Sequence, residues 1–98
     1  MVNIFNITDK TRRGIRLTKR QWRETTLKHP NMSAYLEEIK ETLIKPDVIS
    51  DYNIDEKVRY YYKYFKQIKS RNKYLLVIVK YLNGEGFVIK SYFEGKIK

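Results

Sequence analysis

The segment YLLVIVKY, residues 74–81, is apolar on both of its alternating sets of side chains, and this constrains the fold more than any other stretch. Neighbouring residues of a strand point to opposite faces of a sheet, so a strand apolar on both sides must be covered on both. Such a strand belongs at the centre of a sheet. DVIS, VRYYYKYF and GFVIKSYF are likewise rich in β-branched and aromatic residues, and DYNIDE, KQIKSRN and NGEG separate the four segments. Asn83-Gly84, with Gly86 close behind, predicts a tight hairpin before the last strand.

The first half of the chain has a different period. Thr18 followed by Gln21 has the form of a capping box, which predicts a helix over residues 19–28. Pro30 disfavours helical geometry at the residue before it, so His29 falls at that helix's end. Met32, Tyr35, Leu36, Ile39 and Leu43 recur at three- and four-residue steps and define a second, amphipathic helix, with Ser33 or Asn31 as its expected cap and Pro46 as its stop. Before them, IFNI reads as a short strand and GIRLT alternates as a half-buried strand does. The expectation is an α+β fold in which two N-terminal helices, within residues 18–45, pack on one face of an antiparallel sheet of about four strands, within 47–93. Residues 1–13 are read as a short strand or a flexible lead, and residues 1–98 as a single domain.

Charge points to the class of partner. The formal net charge is +10 over 98 residues, and it is unevenly spread. Residues 57–98 carry eleven Lys or Arg against Glu85 and Glu94, and residues 10–28 carry eight against Glu24, with Arg16 and Arg20 among them. An acidic stretch, residues 37–56, lies between and is most simply a solvated helix face. Basic blocks attract polyanions because cations that neutralise phosphates release condensed counterions, so RNA is the first partner to consider. Lysine-rich composition also serves solubility, and charge alone does not decide. No apolar run approaches a membrane span and the start MVNIFNITDK is unlike a signal peptide, so a cytoplasmic protein without a membrane partner is expected.

Strand parity sorts the candidate ligand face. If Leu75, Val77, Val79, Phe87 and Ile89 line the core, the other face collects Arg59, Lys63, Lys80 and Lys90 around Tyr61 and Tyr92. Cations there would hold phosphates, and rings would stack on unpaired bases. The competing reading is that tyrosines are good strand formers and lysines guard an exposed sheet.

The chain has one histidine, His29, and no cysteine. No usual zinc set is available, no phosphate-binding loop is present, and no cofactor or metal is expected. His29 lies seven residues from the only tryptophan, Trp22, on nearly the same side of the first helix. It either ends that helix by interacting with the last carbonyls or transfers protons near neutral pH. The chemistry left for it is transfer at an RNA phosphodiester by a neighbouring 2′-hydroxyl, which needs a proton acceptor, a proton donor and cations.

The order of motifs resembles the barnase–EndoU–colicin–RelE-like nuclease superfamily, in particular its small domains from phages and toxin modules. The pieces are GIRLT leading into Trp22, Lys28-His29-Pro30, the amphipathic helix ending near Pro46-Asp47, Arg59-Tyr60-Tyr61, the apolar central strand, and FVIKSY ending at Tyr92. The resemblance implies metal-independent RNA cleavage, with a neutralising antitoxin or immunity protein as a partner. It maps the catalytic histidine to His29, the basic residue opening the tyrosine strand to Arg59, and the closing aromatic to Tyr92. Where a Thr is expected two residues before the final Tyr, this chain has Lys90, with Ser91 beside it. The expected catalytic set is therefore His29, Arg59, Lys90, Ser91 and Tyr92, and the expected RNA contacts are Arg16, Arg20, Tyr61, Lys63 and Lys80. The alternatives are a non-catalytic RNA-binding domain on the same scaffold and a protein-interaction module using the acidic helix. His29 and the basic sheet face can meet only at an edge or end of the sheet.

Overall fold

The computed structural model describes residues 3–51 and 55–97. Met1, Val2, residues 52–54 of the DYNIDE connection and Lys98 lie outside the described residues. Six strands and two α-helices follow in the order β1 (Asn3–Thr8), β2 (Gly14–Thr18), α1 (Lys19–Lys28), a 3-10 turn (Pro30–Ala34), α2 (Leu36–Ile44), β3 (Val48–Asp51), β4 (Val58–Tyr64), β5 (Tyr74–Leu82) and β6 (Glu85–Glu94). The strands form one sheet in the order β1-β2-β6-β5-β4-β3.

This corrects the expected architecture in two ways. The sheet has six strands rather than about four, and it is mixed, because β2 runs parallel to β6 through Ile15 opposite Gly86 and Arg16 opposite Phe87. The helices are not N-terminal: β1 and β2 form an antiparallel pair before them. The reason is that a parallel neighbour requires a long crossover, and here the crossover from β2 to β6 contains both helices and three strands. No local pattern announces a pairing of that span.

The sheet is buried on both faces, as the apolar β5 requires. On the helix side, Tyr61, Leu75, Val77, Val79, Tyr81 and Val88 pack with Met32, Ile39 and Leu43 and with Phe5, Ile15 and Leu17. Each fully buried Leu or Ile there contributes about 1.5–3 kcal/mol. On the opposite face Val58, Tyr62, Leu76 and Ile78 form a smaller cluster, against which Tyr60, Ile89, Tyr92 and Ile97 pack. Asn83 and Gly84 both take positive φ, 55° and 82°, as the predicted β5–β6 hairpin turn demands.

The face assignment also needs correction. Tyr61 pairs with Val77, and Lys63 with Leu75, so Arg59, Tyr61 and Lys63 belong to the helix side rather than to a ligand platform. In β6 the alternation itself breaks: Ile78 pairs with Lys90 but Val79 with Val88, leaving Ile89 as an unpaired bulge residue. A one-residue insertion exchanges the faces on either side of it. Val88 therefore joins the core where Phe87 and Ile89 were expected.

The caps differ too. Thr18 caps α1 as expected, its Oγ1 accepting from the Gln21 backbone N–H at 3.1 Å. Neither Asn31 nor Ser33 caps α2: Tyr35 precedes it without a side-chain cap, and the Ser33 hydroxyl donates to the Pro30 carbonyl within the 3-10 turn. Among the described residues no helix is long and apolar enough to cross a membrane.

Candidate active site between the first helix and the last strand

The site exists because β2 accompanies β6 only as far as Phe87. Past that point α1 takes the place of a neighbouring strand along the edge of β6. Near its start the Gln21 side chain donates from Nε2 to the Ile89 carbonyl at 2.7 Å. At its end the His29 N–H closes the helix on the Thr25 carbonyl at 2.8 Å, and the His29 carbonyl accepts from Met32 N–H at 2.9 Å. The imidazole then stacks on the Tyr92 ring, with centroids 5.3 Å apart and planes inclined by 18°. His29 thus both ends the helix and meets the sheet, at an edge as the parity argument demanded.

Between these two contacts lies a cavity of about 350 Å³ lined by Gln21, Glu24, Thr25, Lys28 and His29 from α1 and by Ile89, Lys90, Ser91 and Tyr92 from β6. It combines two ammonium groups, a carboxylate and an imidazole, which are cation, acid and base in one cleft. Glu24 is held 3.8 Å from the Arg20 guanidinium and stays about half exposed. Burial, then the neighbouring Glu94 carboxylate, push the Tyr92 phenol above its ordinary value, so it is a hydrogen-bond donor at neutral pH and not a base. Ser91 faces the helix side opposite Val77 and is only 2% exposed. No group of three or more His, Cys, Asp or Glu side chains that could hold a metal ion occurs among the described residues.

The profile of the phage-Barnase-EndoU-ColicinE5/D-RelE like nuclease2 family matches residues 5–97. The chain belongs to that nuclease-like family. The match runs from within β1 to beyond β6, so it includes most of β1 and all of β2, which precede α1. No curated protein and no solved structure matches the chain.

Of the side chains expected to act, the fold of this family member brings four together: His29, Lys90, Ser91 and Tyr92 line one cavity. Arg59 does not line it. That residue stands on β4, two strands away, with its Nε 3.4 Å from Asp51 and its guanidinium over the Tyr81 ring. Lys63 donates to the Lys45 carbonyl at 2.9 Å beneath the end of α2 and faces Glu41 and Asp47. Lys80 lies 3.6 Å from Asp55, and Arg16 lies 2.8 Å from Glu85 and against Phe87. Tyr61 is fully buried, so its ring has no face to offer a base; its hydroxyl instead serves Asp9. Arg20 is exposed beside the cavity and paired with Glu24.

Sequence reasoning passed over Gln21, Glu24, Thr25 and Lys28. A usable signal was present: residues 21, 24, 25 and 28 recur at helical spacing, so they share one face of α1, next to the face that carries Trp22 toward the core. That stripe is polar where a buried stripe would be apolar, which marks a groove.

Proposed function

We propose that the protein is an endoribonuclease that needs no metal, with the cleft between α1 and β6 as its active site. The observation that carries this reading is the stacking of His29 on Tyr92 in a cavity that also holds Glu24, Lys28 and Lys90, in a chain of a nuclease-like family. Glu24 accepts the proton of a ribose 2′-hydroxyl as that oxygen attacks the adjacent phosphorus. His29 protonates the 5′-oxygen as its bond to phosphorus breaks, leaving a 2′,3′-cyclic phosphate and a free 5′-hydroxyl. Lys28 and Lys90 stabilise the charge that gathers on the phosphoryl oxygens. Tyr92 holds the imidazole plane, its own hydroxyl being engaged with the Glu94 carboxylate.

Lys90 departs from the superfamily pattern, which leads one to expect a threonine there: in the cleft its ammonium is a cation for phosphate, and the same departure is the feature that favours non-catalytic RNA binding as the second reading. The hydroxyl next to it, on Ser91, is buried and is better suited to holding the strand than to touching substrate. A wider RNA contact comes from Arg20, exposed beside the cleft, and the partner this reading implies is an inhibitor that covers the basic cleft.

The test is a cleavage assay of wild type, His29→Ala and Glu24→Gln with mixed-sequence RNA in EDTA from pH 5 to 9. Removing a proton-transfer group costs about 10²–10⁴-fold. Both variants are expected to lose activity on that scale while unfolding like the wild type, with cyclic phosphate ends formed by the wild type. Binding of RNA without cleavage at any pH would instead assign the chain to non-catalytic RNA recognition.

A further inference from the structure

We infer that Gln21 is a positioning residue that holds the two sides of the cleft in register by clamping the bulge of β6. The inference rests on the nuclease reading for its catalytic consequence and on geometry for the rest. A capping box would return the Gln21 side chain to the backbone of Thr18. Only half of that motif forms: the Gln21 backbone N–H donates to Thr18 Oγ1, while its side-chain amide crosses to the Ile89 carbonyl. The same residue therefore fixes where α1 starts and where β6 bends.

Ile89 is the one residue by which β6 slips against β5, and bulges of this kind re-aim the side chains that follow them. Here those side chains are Lys90, Ser91 and Tyr92, all in the cavity. The two ties between α1 and β6 match in length. Eight helical residues from Gln21 to His29 advance about 12 Å, and three strand residues from Ile89 to Tyr92 advance about 10 Å. Helix and strand run side by side in the same sense, tied at Gln21–Ile89 at one end and at His29–Tyr92 at the other, with the cavity between. Loosening the first tie lets α1 slide on β6 and takes His29 off Tyr92.

The experiment compares wild type with Gln21→Met, which keeps size and helix preference but removes the donor, and Gln21→Glu, which sets an oxygen against the Ile89 carbonyl. His29 is the single histidine, so its ring protons give an unambiguous NMR signal that carries the ring-current shift of Tyr92. Both variants are expected to move that signal toward its unstacked position. They are also expected to lower kcat for RNA cleavage roughly 10- to 100-fold, the scale of an ångström-sized misplacement, with little change in KM. An unmoved His29 signal overturns the proposal whatever the cleavage rate, and a moved signal with unchanged kcat overturns its catalytic part. Failure of the wild type to cleave any RNA overturns the nuclease reading instead, and the His29 signal still decides the clamp.

Discussion

Asp9 is 5% exposed and surrounded by donors: the hydroxyls of Tyr61, Tyr81 and Thr11 and the backbone N–H of Arg13. The Tyr61 and Tyr81 hydroxyls are also bonded to each other. Burial pushes the Asp9 carboxyl up, but the bonds from Tyr61, Arg13, Thr11 and Tyr81 together outweigh it and leave the group below the ordinary carboxylate value. A depressed folded pKa means the unfolded chain takes up the proton first. The stabilisation is therefore complete above about pH 4 and is lost as pH falls through the folded value. Tyr61→Phe removes the leading donor and is expected to cost about 1–3 kcal/mol at pH 7. Urea unfolding followed from pH 7 into acid checks this, the difference from wild type shrinking as pH falls below the ordinary carboxylate value and through the depressed folded one. Equal midpoints at pH 7 would show that the cluster contributes nothing net.

Elements differ in how much of their placement a sequence declares. The limits of α1 were legible because Thr18 and Pro30 act on their own neighbours, and β5 was legible because an uninterrupted apolar strand has one place to go. The junction of β2 with β6 was not, since it rests on two residue pairs brought together across some seventy positions. Nor was the Ile89 bulge, which no residue type announces and which exchanged the faces of Phe87 and Val88 in the parity argument. The candidate site inherits this split: His29, Lys90, Ser91 and Tyr92 were readable as chemistry, whereas Gln21, Glu24 and Lys28 became site residues only once α1 was laid along β6. Gly86 is where the unreadable junction is tightest. A Cβ there would lie 2.9 Å from side-chain atoms of both Ile15 and Val79. Gly86→Ala is expected to lower stability by about 1–3 kcal/mol through overpacking, read as a drop in the thermal midpoint. It should also slow RNA cleavage, because β2 leads directly into the start of α1. An unaltered midpoint would mean that β2 and β6 separate at no cost and do not set the helix.

At the scale of the whole molecule, the net charge of +10 does not by itself say which cations would meet the RNA of the proposed function. The fold divides them. Arg16, Arg59, Lys63 and Lys80 each face an acidic side chain at 2.8–3.8 Å, and Lys63 is further tied to a backbone carbonyl, whereas Lys28 and Lys90 open into the cavity. A cation that neutralises a phosphate of a single strand contributes about −0.7 to the slope of log K against log salt. A cation already paired with a carboxylate of the protein contributes less, because it neutralises less of a phosphate's charge and so releases fewer of the counterions condensed on the RNA. In an inactive His29→Ala background, Lys90→Ala is therefore expected to make the slope shallower by about that amount and to weaken binding of unrelated RNA sequences alike. Lys63→Ala is expected to leave the slope unchanged. Fluorescence anisotropy with a labelled single-stranded RNA from 50 to 200 mM salt separates the two. Equal slopes for His29→Ala with and without Lys90→Ala would move the phosphate track out of the α1–β6 cleft, and a Lys63 effect as large as that of Lys90 would place it on the β3–β4 side of the sheet.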